Sequence, residues 1–199
     1  YLFGLFLFIL LYTLTSTWAY FQQSELTKTA FTDRAARTTF LAGIDRWVNT
    51  FTLLMQIFVT GRLMKSVGVT FTLISMPVLS LFGFAAIGYQ PVLATLAVFQ
   101  VMRRAATFAF MRPAREVLFT VLRREDKYKS KSFMDTFGYR AGDQLGAWSY
   151  GGLSALGLGI SAISYLAVPI VAIWCAIGVW LGRRQLALSR EREAHSRAS

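Results

Sequence analysis

Charge is what this sequence has least of. Asp, Glu, Lys and Arg make up 16% of its 199 residues, where a soluble domain carries about a quarter. A chain so poor in charge does not read as an ordinary water-soluble domain. Cysteine is nearly absent too. Cys175 stands alone in the last apolar run, so the chain builds neither a disulfide nor a cysteine metal site of its own. It reads as a small packing residue. The single histidine, His195, lies in the polar tail with no second ligand near it, which removes a histidine metal centre. No nucleophile–base pair or phosphate-cradling loop is found, so the reading is not an enzyme, and no cofactor is expected. The methionine and basic leader of a signal peptide are also missing, since Tyr1 already stands inside an apolar run. The chain therefore reads as a fragment whose missing part lies before Tyr1.

What is present is hydrophobicity in blocks. Spanning a bilayer takes roughly 20 largely apolar residues, and six segments approach or exceed that: Leu2–Phe21, Val48–Leu63, Val69–Gly88, Val92–Met111, Phe133–Gly159 and Ile160–Leu181. Polar residues interrupt the second and fifth. None shows the strict alternation of a membrane strand, so the expected class is all-α rather than a barrel. The expected architecture is a polytopic bundle of about six transmembrane helices over residues 1–184. A polar cytoplasmic tail, frayed after Gly182, is expected over residues 185–199.

Orientation follows from the basic residues. Fourteen of them, in the second-to-third and fourth-to-fifth connections and the tail, fall on one side, against Lys28, Arg34, Arg37 and Arg46 on the other. The positive-inside rule places the larger set, and both chain ends, in the cytoplasm. A bacterial inner membrane is the expected location. The net charge of +11 is mostly this bias, and because it is split among flanking segments no nucleic-acid partner is expected. Thr32-Asp33 reads as a helix N-cap, Gly88-Tyr89-Gln90-Pro91 as a tight outer turn, and Arg112 to Ser132 as the longest inner connection.

An ionisable side chain at the bilayer centre costs at least about 2.5–3.5 kcal/mol, so each needs a reason. At 100° per residue, Gln100, Arg103, Arg104 and Thr107 share one face of the fourth segment, which Arg115 continues. Arg140, Asp143 and Gln144 share an arc of the fifth, beside Gly138, Gly142 and Gly146, a small-residue stripe suited to close helix packing. Asp45, Asn49, Thr52, Gln56 and Thr60 share a face of the second, and the first offers Tyr12, Thr13, Ser16 and Tyr20. The third and sixth segments carry no charge and are expected to face lipid. Arg140 and Asp143 read either as a locking pair or as part of a site. Two adjacent cations, Arg103 and Arg104, with no acid in their own helix, favour an anionic ligand.

This order of helices and inward basic loops resembles the C-terminal half of a major facilitator superfamily transporter. Gly61-Arg62-Leu63-Met64-Lys65-Ser66-Val67-Gly68 sits where that superfamily carries Gly-x-Leu-x-Asp-Arg-x-Gly. Arg112-Pro113-Ala114-Arg115-Glu116 and Lys127-Tyr128-Lys129-Ser130-Lys131 through Gly146 are more specifically similar to the ATP/ADP antiporter family. There Arg-x-Gly-Lys-Ser-Gly-Gly stands where this chain has Arg140-Ala141-Gly142-Asp143-Gln144-Leu145-Gly146, so Asp143 replaces the family's lysine. The resemblance implies nucleotide binding, an N-terminal half as partner, and alternating access. Substrate contacts are then expected from Gln100, Arg103, Arg104, Arg140, Asp143 and Gln144, with Asp45, Asn49, Gln56 and Arg62 in coupling or gating. Two alternatives stand beside anion transport. One is a proton-coupled symporter using Asp143 or Asp45; the other is a non-transporting receptor or scaffold, which ought to have apolar interior faces.

Overall fold

Six helices account for most of the described residues, and none of those residues lies in a strand. The computed structural model describes residues 1–60, 68–122 and 124–198, with side chains described except at 59–60, 124–126 and 192–198. Helix α1 is Leu2–Ala30. Helix α2 is Arg34–Met55, continued by a π turn over Gln56–Thr60. Helix α3 is Gly68–Tyr89. Helix α4 starts as Leu93–Ala106, passes through a π turn over Thr107–Met111, and resumes over Arg112–Leu118. Helix α5 likewise joins Arg124–Phe133, a π turn over Met134–Gly138, and Tyr139–Ala155. Helix α6 is Ile160–Ala198. The Gly61–Gly68 loop motif, with Arg62, falls almost wholly outside the described residues.

Three of these helices, α1, α3 and α6, are long and apolar enough to cross a membrane. The second and fifth segments, the two that polar residues interrupt, each contain a π turn. The fourth joins them, because Arg103 and Arg104 stand just before its own π turn. Pro113 lies at the far side of that turn. A proline has no N–H and its ring presses on the carbonyl four residues back. The wider π turn, in which Arg112 N–H reaches Thr107 O, sits where that room is needed.

The expected fraying of the tail is not observed, as α6 continues without a break to Ala198. Arg, Gln, Ala, Leu and Glu dominate the stretch after Gly182, and all are good helix formers. At about 1.5 Å per residue its 39 residues reach about 58 Å.

Packing pairs α3 with α6, α1 with α5, and α2 with α4, while α1 also touches α6 and α4. The core gathers around α1. Phe8 and Trp174 have ring centres 5.4 Å apart, and Tyr12 meets Trp174 at 6.0 Å. Phe84 and Phe99 join α3 to α4 at 5.2 Å. The α5–α6 connection closes with Gly157 at φ +83°, a left-handed position that a side chain would strain. Leu158 N–H reaches back to Leu153 O, and Gly157 N–H to Ser154 O, which satisfies the last carbonyls of α5.

The glycine stripe of α5 proves uneven. A Cβ on Gly142 would collide with Thr13 Oγ1 and lie 2.9 Å from Leu10 O, and one on Gly146 would lie 2.8 Å from Thr17 Cβ. These two bring α5 against the backbone of α1. Gly138 does not belong with them: its Cβ would meet the Phe6 ring at 3.5 Å, an ordinary contact. Gly83 corrects the picture of α3 as merely lipid-facing. A Cβ there would run into the Phe99 ring, so this face of α3 packs against α4.

The N-cap expected at Asp33 is present. Asp33 Oδ2 accepts the Ala36 N–H at 3.0 Å. Bonds from the Ala36 and Ala35 N–H groups hold its carboxyl below the usual carboxylate range. A lowered carboxyl pKa contributes stability above the unfolded value and loses it as pH falls through the folded value. Asp33→Ala is therefore expected to speed hydrogen exchange at residues 34–37 at neutral pH. Once each rate is divided by the intrinsic rate at the same pH, acidification should lower the protection of these amides in the wild type and leave that of the variant little changed.

Candidate functional site

Three helices that carry polar faces enclose one cleft. Tyr12, Ser16, Tyr20 and Gln23 come from α1, Leu41 and Asp45 from α2, and Gln100, Arg103, Arg104, Thr107, Phe108 and Arg112 from α4. The cleft measures about 470 Å3, within the range of small-molecule sites. Spacings of three and four along each helix put these residues on one side. In an unbroken α-helix the direction would drift by about 80° from residue 104 to residue 112. The π turn winds less per residue and keeps Arg112 on the cleft. Its guanidinium lies over the Phe108 ring at 4.3 Å.

The adjacent arginines do different work. Arg103 is buried, 4% exposed. Its Nε donates to Ser80 Oγ at 3.2 Å, Nη1 to Ser16 Oγ at 3.0 Å, and Nη2 to Thr15 Oγ1 at 3.0 Å and Tyr12 O at 3.5 Å. Four of the five N–H donors of a guanidinium are thus held by neutral groups on α1 and α3. One Nη1 hydrogen remains uncommitted among the described residues. Arg104 instead reaches across to Asp45 on α2, with Nη1 2.5 Å from Oδ1. That pair is partly exposed, with side chains 42% and 55% accessible. Solvent screening therefore leaves it weak, on the order of 1 kcal/mol or less. Three arginines against one aspartate leave the cleft lining two positive charges in excess. Gln100 is fixed beside them, donating from Nε2 to Ala19 O at 3.0 Å.

The cluster on α5 stands apart. Arg140, Asp143 and Gln144 are exposed and do not line the cleft. Asp143 accepts from Thr17 Oγ1 at 3.1 Å. No ion pair joins it to Arg140 among the described residues, so the locking pair is not formed. Asn49 and Gln56 are exposed on α2 outside the cleft, and Arg62 lies outside the described residues. Thr13 turns away toward Gly142.

Beyond the Arg112 end of the cleft, α4 and α5 are tied by charge. Arg115 Nη1 contacts Asp135 Oδ1 at 2.9 Å and the Tyr139 hydroxyl at 2.6 Å, and Lys131 meets Glu116 at 2.8 Å. The Tyr139 ring packs edge-on to Tyr12, 6.3 Å away, which joins this cluster to the cleft wall.

Gln23, Leu41, Phe108 and Arg112 were not singled out from sequence as site residues. The recurrence 104, 108, 112 follows helical spacing, but the apolar run ends at Met111 and Arg112 was placed at the start of the inner connection. No family model matches this chain, and neither a curated protein nor a solved structure does.

Proposed function

We propose that this chain is one half of a polytopic secondary transporter of the major-facilitator type, and that the α1–α2–α4 cleft binds an anionic solute. The observation that carries the reading is the cleft's unbalanced charge: Arg103, Arg104 and Arg112 against Asp45 alone. A carboxylate, phosphate or nucleotide phosphate group supplies the missing negative charge when it binds. Arg104 and Arg112 make the direct contacts, each as a planar fork matched to such a group. The spare Nη1 hydrogen of Arg103 adds a third from below. The solute is a nucleotide or another phosphorylated metabolite, and Tyr20 and Phe108 give flat surfaces to its uncharged part.

Asp45 competes with the solute for Arg104. Solute binding at Arg104 releases Asp45 and loosens α2 from α4, which is a natural trigger for rocking of this half against an N-terminal half. The Asp45–Arg104 contact also favours, as a second reading, Asp45 over Asp143 as a proton-coupling residue in a symporter. The receptor or scaffold reading fits poorly with an interior so polar and cationic. The proposed setting is a bacterial inner membrane with both ends of this chain cytoplasmic.

Uptake by the complete transporter in proteoliposomes is the test. Saturable entry of a radiolabelled nucleotide or phosphorylated metabolite is expected, competed by other anions and not by neutral sugars. Absence of anion uptake from folded, reconstituted protein across a panel of such solutes would remove the reading.

A further inference from the structure

Apart from the cleft, beside the first turns of α1, a second concavity is almost entirely apolar. It measures about 610 Å3 and runs between the first turns of α1 and the start of α5. Phe3 and Phe6 form one wall and Phe133, Met134 and Phe137 the other. Phe133 and Phe137 stack on each other at 5.2 Å, and both stack or tilt against Phe6. Each is nevertheless 55% exposed, and Phe3 is 73% exposed. This wall is built, yet none of the described residues covers it.

The groove has one polar end. Lys129, Phe133 and Phe137 follow at steps of four, so the lysine stands one helical turn from the phenylalanines on the same side of α5. Lys129 and Ser130 both line the groove. Lys129 forms no ion pair among the described residues. This is also the end of the bundle where Arg112, Arg115, Lys127 and Lys131 gather. A cation and a hydroxyl at the mouth of a long aromatic trough match a phosphodiester joined to an acyl chain. A comparable apolar groove between α3 and α4, with Phe82, Val98 and Met102 among its lining residues, has no cation on it. It offers no reason to select a headgroup.

We infer that the α1–α5 groove binds an anionic phospholipid, its phosphate on Lys129 and Ser130 and one acyl chain along Phe3, Phe6, Phe133 and Phe137. The inference rests on the membrane part of the reading above and is independent of what the cleft carries. A lysine near an anionic surface contributes on the order of 1 kcal/mol, which corresponds to about fivefold in affinity.

The complete protein in nanodiscs of equal phosphatidylglycerol and phosphatidylcholine, released into native mass spectrometry, reads this directly. About fivefold enrichment of a phosphatidylglycerol adduct is expected. Lys129→Gln should bring the ratio close to one, whereas Arg183→Gln, a cation away from the groove, should leave it unchanged. The Phe133→Ala, Phe137→Ala double variant should reduce retained lipid of both kinds, and neither ring is in the core. Glycerol phosphate, with the headgroup charge and no acyl chain, should neither bind nor compete. Equal retention of the two lipids by the wild type, enrichment that survives Lys129→Gln, or total lipid retention undiminished by the double phenylalanine change would overturn the site. Failure of the protein to enter nanodiscs at all would instead strike the membrane reading itself.

Discussion

Arg104→Gln and Arg103→Gln are expected to fail in opposite ways, although the residues are neighbours. Arg104 meets only a partly exposed Asp45 within the chain. Losing that pair costs little stability, because screened surface pairs are worth about 0–1 kcal/mol. What is lost is a charged donor to the solute, and hydrogen bonds to charged groups are worth about 1.5–3 kcal/mol. Uptake by Arg104→Gln should therefore fall by roughly 10- to 100-fold, with the melting temperature close to wild type. Arg112→Gln should behave similarly. Arg103 joins α1, α3 and α4 through Ser16, Thr15, Tyr12 O and Ser80. A glutamine is too short and has too few donors to replace that fan. Arg103→Gln should lower stability by several kcal/mol, since a buried charge-assisted network is broken. Paired uptake and thermal-shift measurements separate the outcomes. Normal anion transport by the Arg104→Gln, Arg112→Gln double variant would remove the cleft as the substrate site. An unchanged melting temperature for Arg103→Gln would show that its hydroxyl partners do not hold the bundle.

Gly142→Leu is expected to abolish most of the folded protein. The obstacle to a Cβ at this position is partly the main chain of α1, at Leu10 O, and main chain does not rotate away. Thr13 cannot move freely either, because its hydroxyl donates back to Leu10 O and Ile9 O. Overpacking a core costs typically about 1–3 kcal/mol and more where the backbone must shift. Here α5 would have to lift from α1 along its length, taking Gly146 and the Trp18–Ser149 hydrogen bond with it. Even Gly142→Ala should measurably lower the melting temperature. Gly138→Ala should be nearly silent, since its neighbour stands at van der Waals distance. Monodisperse yield in detergent and melting temperature report both. Comparable yields from Gly138→Leu and Gly142→Leu would mean that α1 and α5 do not approach as closely as described.

The six helices were legible in the sequence because apolar runs mark them and Asp33, Gly88–Pro91 and Gly157–Gly159 punctuate the chain, although α1 continues from the expected Phe21 to Ala30 and α2 begins at Arg34 rather than Val48. The arginine face was legible too, since Gln100, Arg103, Arg104 and Thr107 follow helical spacing. The division of labour between Arg103 and Arg104 was not. It depends on Ser16 and Ser80, hydroxyls on two other helices whose approach no local pattern encodes. Asp45 was seen as polar within its helix, but its pairing with Arg104 is a fact of how α2 crosses α4. Helical periodicity placed Gly138 in the same stripe as Gly142 and Gly146, although periodicity says which way a residue points and not how near the neighbour is. Arg112 was expected in a connection because the apolar run ends at Met111, but the helix continues through a π turn and past Pro113.

The π turns of α2, α4 and α5 all lie toward the end of the bundle where the basic residues gather, and α1, α3 and α6 have none. Each holds one residue more per turn than the α-helix around it. That surplus is slack. Taking it up in one helix slides the adjoining segment by about 1.5 Å and turns it by about 100°, without breaking the helix or disturbing the far end. The described helices thus fall into two kinds, three with a π turn and three without one. The helices with a π turn include both that hold the Asp45–Arg104 contact, and in one of them, α4, the turn ends immediately before Arg112.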